Sequence, residues 1–116
     1  MILVLSDDLL DASRTVSHGR AAGVTVVQCR TLDVLRHQLA AAEVVCCIID
    51  LQFPKLNLTE LVGYTTRDDR RPRLVGYGSH VDAKRLSEAR HAGFDDVMPR
   101  SKYFDTLAER MGEYAG

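Results

Sequence analysis

The stretch VVCCIIDLQFP, residues 44–54, decides the fold prediction. Its first six residues are apolar, and Asp50 and a short segment that reaches Pro54 follow them. A continuous apolar run of this length is typical of a strand whose two faces are both covered by helices. The carboxylate at its end raises a question. Asp50 is either a reactive group at the edge of a core or a polar residue that only marks the end of a strand.

Similar β-rich segments recur along the chain and, with residues 44–49, predict five strands. Helical patterns separate them, and crossover helices require neighbouring strands to run in parallel. Five strands and five helices is the count of the flavodoxin-like doubly wound α/β fold with strand order 2-1-3-4-5. We therefore expect one three-layer domain over residues 1–116. The other four predicted strands are Ile2–Leu5, Val24–Val27, Leu74–Tyr77 and Asp96–Met98.

Local signals indicate where the helices begin and end. In the first helix, Leu9, Ala12 and Val16 form an apolar stripe that we expect to face the sheet. Gly23 is placed to end this helix, and Gly93 is placed to end the fourth. Small polar residues that precede apolar periodic segments are good N-caps. On this basis the predicted caps of helices two to five are Thr31, Asn57, Ser79 and Ser101.

The charge balance excludes some classes of partner. Formal net charge is −1, which argues against nucleic-acid binding through a basic face. The segment RDDRRPR, residues 67–73, mixes both signs, and we interpret it as a solvated loop, with an anion-binding patch as the alternative. The longest apolar run has six residues, far short of a membrane span. We expect neither a nucleic acid nor a membrane as a partner.

Three cysteines are present, Cys29, Cys46 and Cys47. The count is odd, and the spacing matches no zinc ligand set. Adjacent residues of a strand point to opposite faces, so Cys46 and Cys47 are expected to be small buried side chains on the two sides of the sheet. Free buried thiols suit a reducing compartment, and we expect the chain in the cytoplasm.

The predicted topology brings carboxylates to one edge of the sheet. Ligands of an open parallel sheet bind beyond the carboxyl ends of the strands, where the strand order reverses, here between strands one and three. Ser6, Asp7 and Asp8 follow the first of these strands, and Asp50 follows the other. Such carboxylates suit a Mg²⁺ ion, and one of them could act as a nucleophile toward phosphorus. The alternative is that Asp7 or Asp8 simply caps the first helix.

From Ile2 to about Tyr114, the chain resembles the receiver domains of response regulators. The stretches that carry the resemblance are ILVLSDD, IIDLQFP, RLVGYGS and AGFDDVMPRSKYF. It implies that Asp50, in Asp-Leu-Gln-Phe-Pro, is the phosphoacceptor and that Asp7 is a direct Mg²⁺ ligand. Ser6 stands where receivers usually have another acid, and Asp8 is expected to compensate as part of a metal site of Asp7, Asp8 and Asp50.

Other positions depart from the receiver pattern. Arg100 replaces the lysine that contacts the phosphoryl group in receivers, and its planar guanidinium is not equivalent to an ammonium. Tyr77 replaces the small hydroxyl residue of strand four, although Ser79 could supply a hydroxyl from two residues later. Val97 replaces the aromatic residue that often moves on activation.

The resemblance implies a stand-alone receiver in a phosphorelay. A histidine kinase or phosphotransfer protein would then transfer a phosphoryl group to Asp50 with the help of Mg²⁺. We expect no output domain after Tyr114, and the signal is then expected to pass by contact with a downstream protein through the surface of about Ser79–Tyr114.

The alternative is a pseudo-receiver, the same fold kept as a phosphorylation-independent protein interaction module. The substitutions at Tyr77, Val97 and Arg100 favour it, because they remove the usual readout of a phosphoryl group. A small-ligand binder of flavodoxin-like fold is a weaker third hypothesis.

Overall fold

Five parallel strands form one sheet in the computed structural model, which describes residues 1–66 and 71–116. The strands are β1 (Ile2–Leu5), β2 (Val26–Cys29), β3 (Cys46–Asp50), β4 (Arg73–Gly78) and β5 (Asp96–Pro99). Their order across the sheet is β2-β1-β3-β4-β5. The helices between and after them are α1 (Leu9–Ala21), α2 (Leu32–Ala41), α3 (Leu58–Thr65), α4 (Ala83–Ala92) and α5 (Arg100–Ala115). The flavodoxin-like prediction is confirmed.

Two hydrophobic layers cover the sheet, one on each face. Side chains of a strand alternate between faces, and β3 shows this directly. Cys46 and Ile48 pack into a layer with the apolar face of α5, whereas Cys47 and Ile49 pack into the layer formed by α2, α3 and α4. The predicted placement of the two adjacent cysteines on opposite faces is therefore confirmed. Asp50 continues the series on the α5 side of the sheet.

Because of the turn that follows α1, β2 begins at Val26, two residues after the predicted start at Val24. Gly23 adopts a φ of 73°, a conformation that glycine takes at little cost. The amide of Val24 then donates to the carbonyl of Gly19 at 2.8 Å, so pairing with β1 begins at Val26. Gly19 is needed for this close approach, because a Cβ there would lie 2.3 Å from a methyl carbon of Val26.

Two of the predicted helix caps are confirmed. The Thr31 hydroxyl accepts a hydrogen bond from the amide of Val34 at 3.1 Å, and the Asn57 side chain accepts one from the amide of Glu60 at 2.9 Å. Each of these side chains satisfies an amide that the first turn of a helix leaves unpaired.

The other two predicted caps are wrong. Residues 79–82 form a turn closed by the Asp82 amide and the Ser79 carbonyl, and Asp82 then caps α4 by accepting from the amide of Arg85 at 3.1 Å. β5 passes directly into α5, with Pro99 at the cap position and no side-chain cap. Ser101 consequently lies inside the helix, because α5 begins at Arg100.

The apolar stripe predicted for α1 is confirmed at Ala12, whereas it is wrong at Leu9. Leu9 is 59% exposed, and the buried residues of this helix are Asp11, Ala12, Thr15 and Gly19. Polar side chains can occupy a buried helix face when each finds a hydrogen-bonding partner. The partners of Asp11 and Thr15 come from β4 and α5, and they build the site described below.

The loop predicted at residues 67–73 lies mostly outside the described residues, because Arg67, Asp68, Asp69 and Arg70 are not among them. Its described arginines form ion pairs. Arg71 lies 3.6 Å from Asp95, and Arg73 lies 3.3 Å from Glu113. Over the described part of the chain, no helix is long and apolar enough to cross a membrane.

Candidate functional site

Asp50 lies at the carboxyl edge of the sheet, where β1 and β3 end side by side. One of its oxygens accepts a hydrogen bond from the amide of Gln52 at 2.9 Å. The other accepts a longer one, 3.5 Å, from the hydroxyl of Ser6, the fully buried residue that follows β1. The fold thus brings together residues that are 44 positions apart in the sequence.

The surroundings of Asp50 disfavour its charged form. Burial is the main cause of a raised pKa, and the negative charges of Asp11 and Asp7 add to it. The hydrogen bonds from Gln52 and Ser6 act in the opposite direction without cancelling the rise in pKa. Asp50 is therefore a half-buried carboxylate in an acidic environment, which a bound cation would stabilise.

Asp7 and Asp8 have different positions. Asp8 caps α1, since one of its oxygens accepts from the amides of Leu10 at 2.9 Å and Asp11 at 3.1 Å. The alternative interpretation of Asp8 as a helix cap is therefore confirmed, whereas Asp7 is exposed.

The donor set for a Mg²⁺ ion is small. Among residues 1–66 and 71–116, no group of three or more His, Cys, Asp or Glu residues is arranged to hold a metal ion. The two remaining carboxylates, Asp7 and Asp50, fit an ion that keeps most of its water ligands, as Mg²⁺ commonly does. Magnesium binding stays a prediction that rests on these two residues.

Asp11 is the centre of a second polar cluster, which the sequence patterns do not predict. It is almost fully buried, and its carboxylate accepts bonds from two other elements. Arg100, at the start of α5, donates through Nε to one oxygen at 3.1 Å and through Nη2 to the other. The hydroxyl of Tyr77, in β4, donates to the same carboxylate at 3.2 Å. The available sequence signal is the row Asp11, Thr15 and Gly19, which share a helix face at a spacing of four.

Aromatic rings hold this cluster in place. The ring of Tyr77 stacks on that of Tyr103 with centroids 4.5 Å apart and planes 9° apart. The hydroxyls of Tyr103 and Thr15 lie 3.0 Å apart, and the Thr15 hydroxyl also donates to the carbonyl of Asp11. The Arg100 guanidinium lies 5.0 Å from the ring centroid of Phe104, within cation–π range. Burial raises the pKa of Tyr77, so its hydroxyl stays protonated and can donate.

Asp50, Arg100 and Ser79 line one cleft of about 400 Å³, together with Asp8 and Asp11. Of the predicted site residues, only Asp7 is not among those that line this opening. Besides Asp8, which caps α1, two of the others have partners of their own. Arg100 is bonded to Asp11, and this bond is the main cause of its raised pKa. The Ser79 hydroxyl accepts a hydrogen bond from the amide of Val81 at 3.4 Å, whereas its own amide donates to Gln52.

The comparison with solved structures identifies the fold. No protein-family model matches the chain, and no curated protein does. Among solved structures, a response regulator receiver domain from Bermanella marisrubri is 21% identical with a TM-score of 0.83, covering 99% of this chain and 97% of that one. A response regulator from Thermotoga maritima is 14% identical with a TM-score of 0.81, over 98% and 95% of the two chains.

A third solved structure is an atypical orphan response regulator for which a phosphorylation-independent regulatory mechanism is described. It is 10% identical with a TM-score of 0.78, over 98% of this chain and 93% of that one. Identities this low establish the fold and leave the function open. The chain therefore has the fold of the receiver domains of response regulators.

Proposed function

We propose that this chain is an atypical receiver-type signalling domain that accepts a phosphoryl group on Asp50 and signals by protein contact. The observation that carries the proposal is the position of Asp50. A half-buried carboxylate ends the central strand β3, opens onto a cleft of about 400 Å³ and lies near a second carboxylate, Asp7. This edge of an open parallel sheet is where ligands of such folds bind.

The proposed donor is a phosphohistidine of a histidine kinase or phosphotransfer protein. An Asp50 oxygen attacks phosphorus, the bond from phosphorus to the imidazole nitrogen breaks, and the imidazole leaves with the electron pair and takes up a proton. A Mg²⁺ ion held by Asp7 and Asp50 would neutralise the charge that develops on the phosphoryl oxygens. Ser6 and the amide of Gln52 orient the attacking carboxylate through their hydrogen bonds.

The proposed output is contact with a downstream protein through the surface of α4, β5 and α5, about residues 79–114. We place the chain in the cytoplasm, which suits three free and buried thiols.

A second candidate function is a phosphorylation-independent interaction module. One observation favours it. Tyr77 and Arg100, which occupy the two positions expected to contact a phosphoryl group, are both bonded to Asp11. The orphan regulator of similar fold described above offers a precedent for such a mechanism.

An amide NMR titration with Mg²⁺ and then beryllofluoride, a mimic of the aspartyl phosphate, distinguishes these functions. The variants are Asp50→Asn, which removes the acceptor, and Asp105→Asn, which removes a carboxylate at an exposed position of α5. Phosphoacceptance predicts shifts around Ser6, Asp7 and Gln52 in the wild type and in Asp105→Asn, and none in Asp50→Asn. An absence of shifts in the wild type at millimolar concentrations would refute it in favour of the second function.

A further inference from the structure

We infer that Asp11 is an internal anion that occupies Arg100 and Tyr77 and withholds them from an anion bound at Asp50. The inference rests on the proposed phosphoryl acceptance and concerns whether that event reaches α5. The residue acts as a positioning residue, through the two side chains that it binds.

The first argument is the asymmetry of the pair between Arg100 and Asp11. The side chain of Asp11 is 3% exposed, whereas that of Arg100 is 49% exposed. A buried carboxylate depends on its counter-ion, because water cannot replace it. The arginine has no such dependence, and it already lines the cleft that Asp50 lines. Asp11, rather than Arg100, therefore determines where the guanidinium lies.

The second argument is the position of Tyr77. It pairs with Asp50 in the register of β3 and β4, so the two side chains leave the same face of the sheet as neighbours. The Tyr77 hydroxyl nevertheless donates to Asp11. Its ring is stacked on Tyr103 of α5, so a movement of Tyr77 away from Asp11 would disturb a contact between β4 and α5.

The third argument is that Asp11 and an anion at Asp50 compete for the guanidinium of Arg100. The guanidinium binds Asp11 through Nε and Nη2, and moving it from there onto an oxyanion at Asp50 would break both bonds and leave the Asp11 carboxylate buried with Tyr77 as its remaining hydrogen-bond donor among the described residues. Stranding a buried charge in this way is unfavourable. Occupation of Asp50 in the wild type therefore does not move the start of α5, and the parts of the proposed output surface that can respond to it are α4 and β5.

The test uses Mg²⁺ with beryllofluoride on the wild type, Asp11→Asn and the double variant Asp11→Asn/Arg100→Gln. In the wild type we expect no shifts in residues 100–104 and an unchanged side-chain Nε–H resonance of Arg100. Asp11→Asn frees the guanidinium, so we expect about tenfold tighter binding, the worth of one charge-assisted hydrogen bond, and shifts that reach residues 100–104. The double variant lacks the freed cation and should lose both effects.

The outcomes separate this inference from the proposed function. Binding in the wild type with a moving Arg100 Nε–H resonance would overturn the inference and leave phosphoacceptance in place. Equal affinity of the wild type and a folded Asp11→Asn would also overturn it. An absence of binding in both proteins would remove the proposed function and, with it, the inference. If Asp11→Asn does not fold, as judged by circular dichroism, the Arg100 resonance of the wild type decides alone.

Discussion

At the residue scale, the hydroxyl of Tyr77 is the first group to test, because it donates to a buried carboxylate. Tyr77→Phe keeps the ring and its stack on Tyr103 but removes the hydrogen bond of 3.2 Å to Asp11. Hydrogen bonds to charged groups contribute about 1.5–3 kcal/mol. Because Arg100 remains bonded to Asp11, we expect a loss near the low end, about 1.5 kcal/mol, in the free energy of unfolding by urea.

Tyr64 provides the matched control for this substitution. Its hydroxyl is also buried but has no hydrogen-bond partner among the described residues. Removal of an unpaired buried hydroxyl relieves its desolvation, so Tyr64→Phe should leave the free energy of unfolding unchanged or raise it slightly. Equal losses in the two variants would mean that the bond between Tyr77 and Asp11 contributes nothing to stability.

The raised pKa of Asp50 predicts how the stability of the folded protein changes with pH. Its pKa in the folded protein is raised above the ordinary value of 3.8, so the folded state holds the proton more tightly than the unfolded state does. The contribution of Asp50 to stability therefore becomes unfavourable as pH rises from 3.8 through the folded pKa, and it is constant above that. Asp50→Asn should stabilise the protein at pH 7.

The check is urea unfolding of the wild type and Asp50→Asn across this pH range. The gain from the substitution should shrink toward acid and vanish below pH 3.8, where the wild-type carboxyl is protonated in both states. Asp105→Asn, at an exposed position of α5, controls for the general loss of one negative charge. A gain of the same size at acid and neutral pH would rule out repulsion and burial of the charge as its cause.

At the element scale, the two cap candidates of α4 allow a direct comparison. The Asp82 side chain accepts from the amide of Arg85 and also from the side chain of Gln52 at 3.4 Å. Loss of an N-cap costs about 1 kcal/mol, so Asp82→Ala should lower the free energy of unfolding by that amount. Ser79→Ala should cost less than about 0.5 kcal/mol, because within the described part of the chain its hydroxyl accepts a single long bond, from Val81. The reverse order of losses would restore Ser79 as the cap.

The caps also show what local patterns can and cannot predict. Thr31 and Asn57 stand immediately before helical segments, and their prediction needs no knowledge of the sheet. Ser79 and Ser101 fail because tertiary connections decide the helix starts there. The turn at 79–82 delays α4, and the direct passage from β5 brings α5 forward to Arg100.

At the scale of the whole molecule, continuous apolar strands and alternating helices predict the sheet order, and the sheet order predicts that the residues after β1 and β3 meet. This is why the neighbourhood of Asp50 was predictable. The cluster around Asp11 was not predictable, because its partners Tyr77 and Arg100 are 66 and 89 residues away in the sequence and no pattern in α1 indicates them. Periodicity rules assign apolar residues to a buried face, and this helix buries Asp11 and Thr15 instead.

The three cysteines make the opening of the whole sheet measurable. Cys29 lies in β2, whereas Cys46 and Cys47 lie in β3 and face the two core layers. Burial raises the pKa of Cys29 to about 11 and that of Cys46 to about 12, and it raises the pKa of Cys47 as well. Because the thiolate is the reactive form, we expect none of the three to react with a disulfide reagent in the folded protein at pH 8.

Labelling should then require global opening, since each thiol is in a strand that lies between helices. At reagent concentrations at which labelling outpaces refolding, we expect a single labelling rate for all three cysteines, equal to the rate of unfolding extrapolated from denaturant kinetics. Ser17→Cys, at an exposed position on α1, is the positive control and should react at once. A thiol of β2 that reacts faster than those of β3 would mean that this edge strand opens independently. The sheet would then unfold as two cooperative units rather than one. Strand β2 would separate from the edge of the sheet while the other strands stay packed against α5.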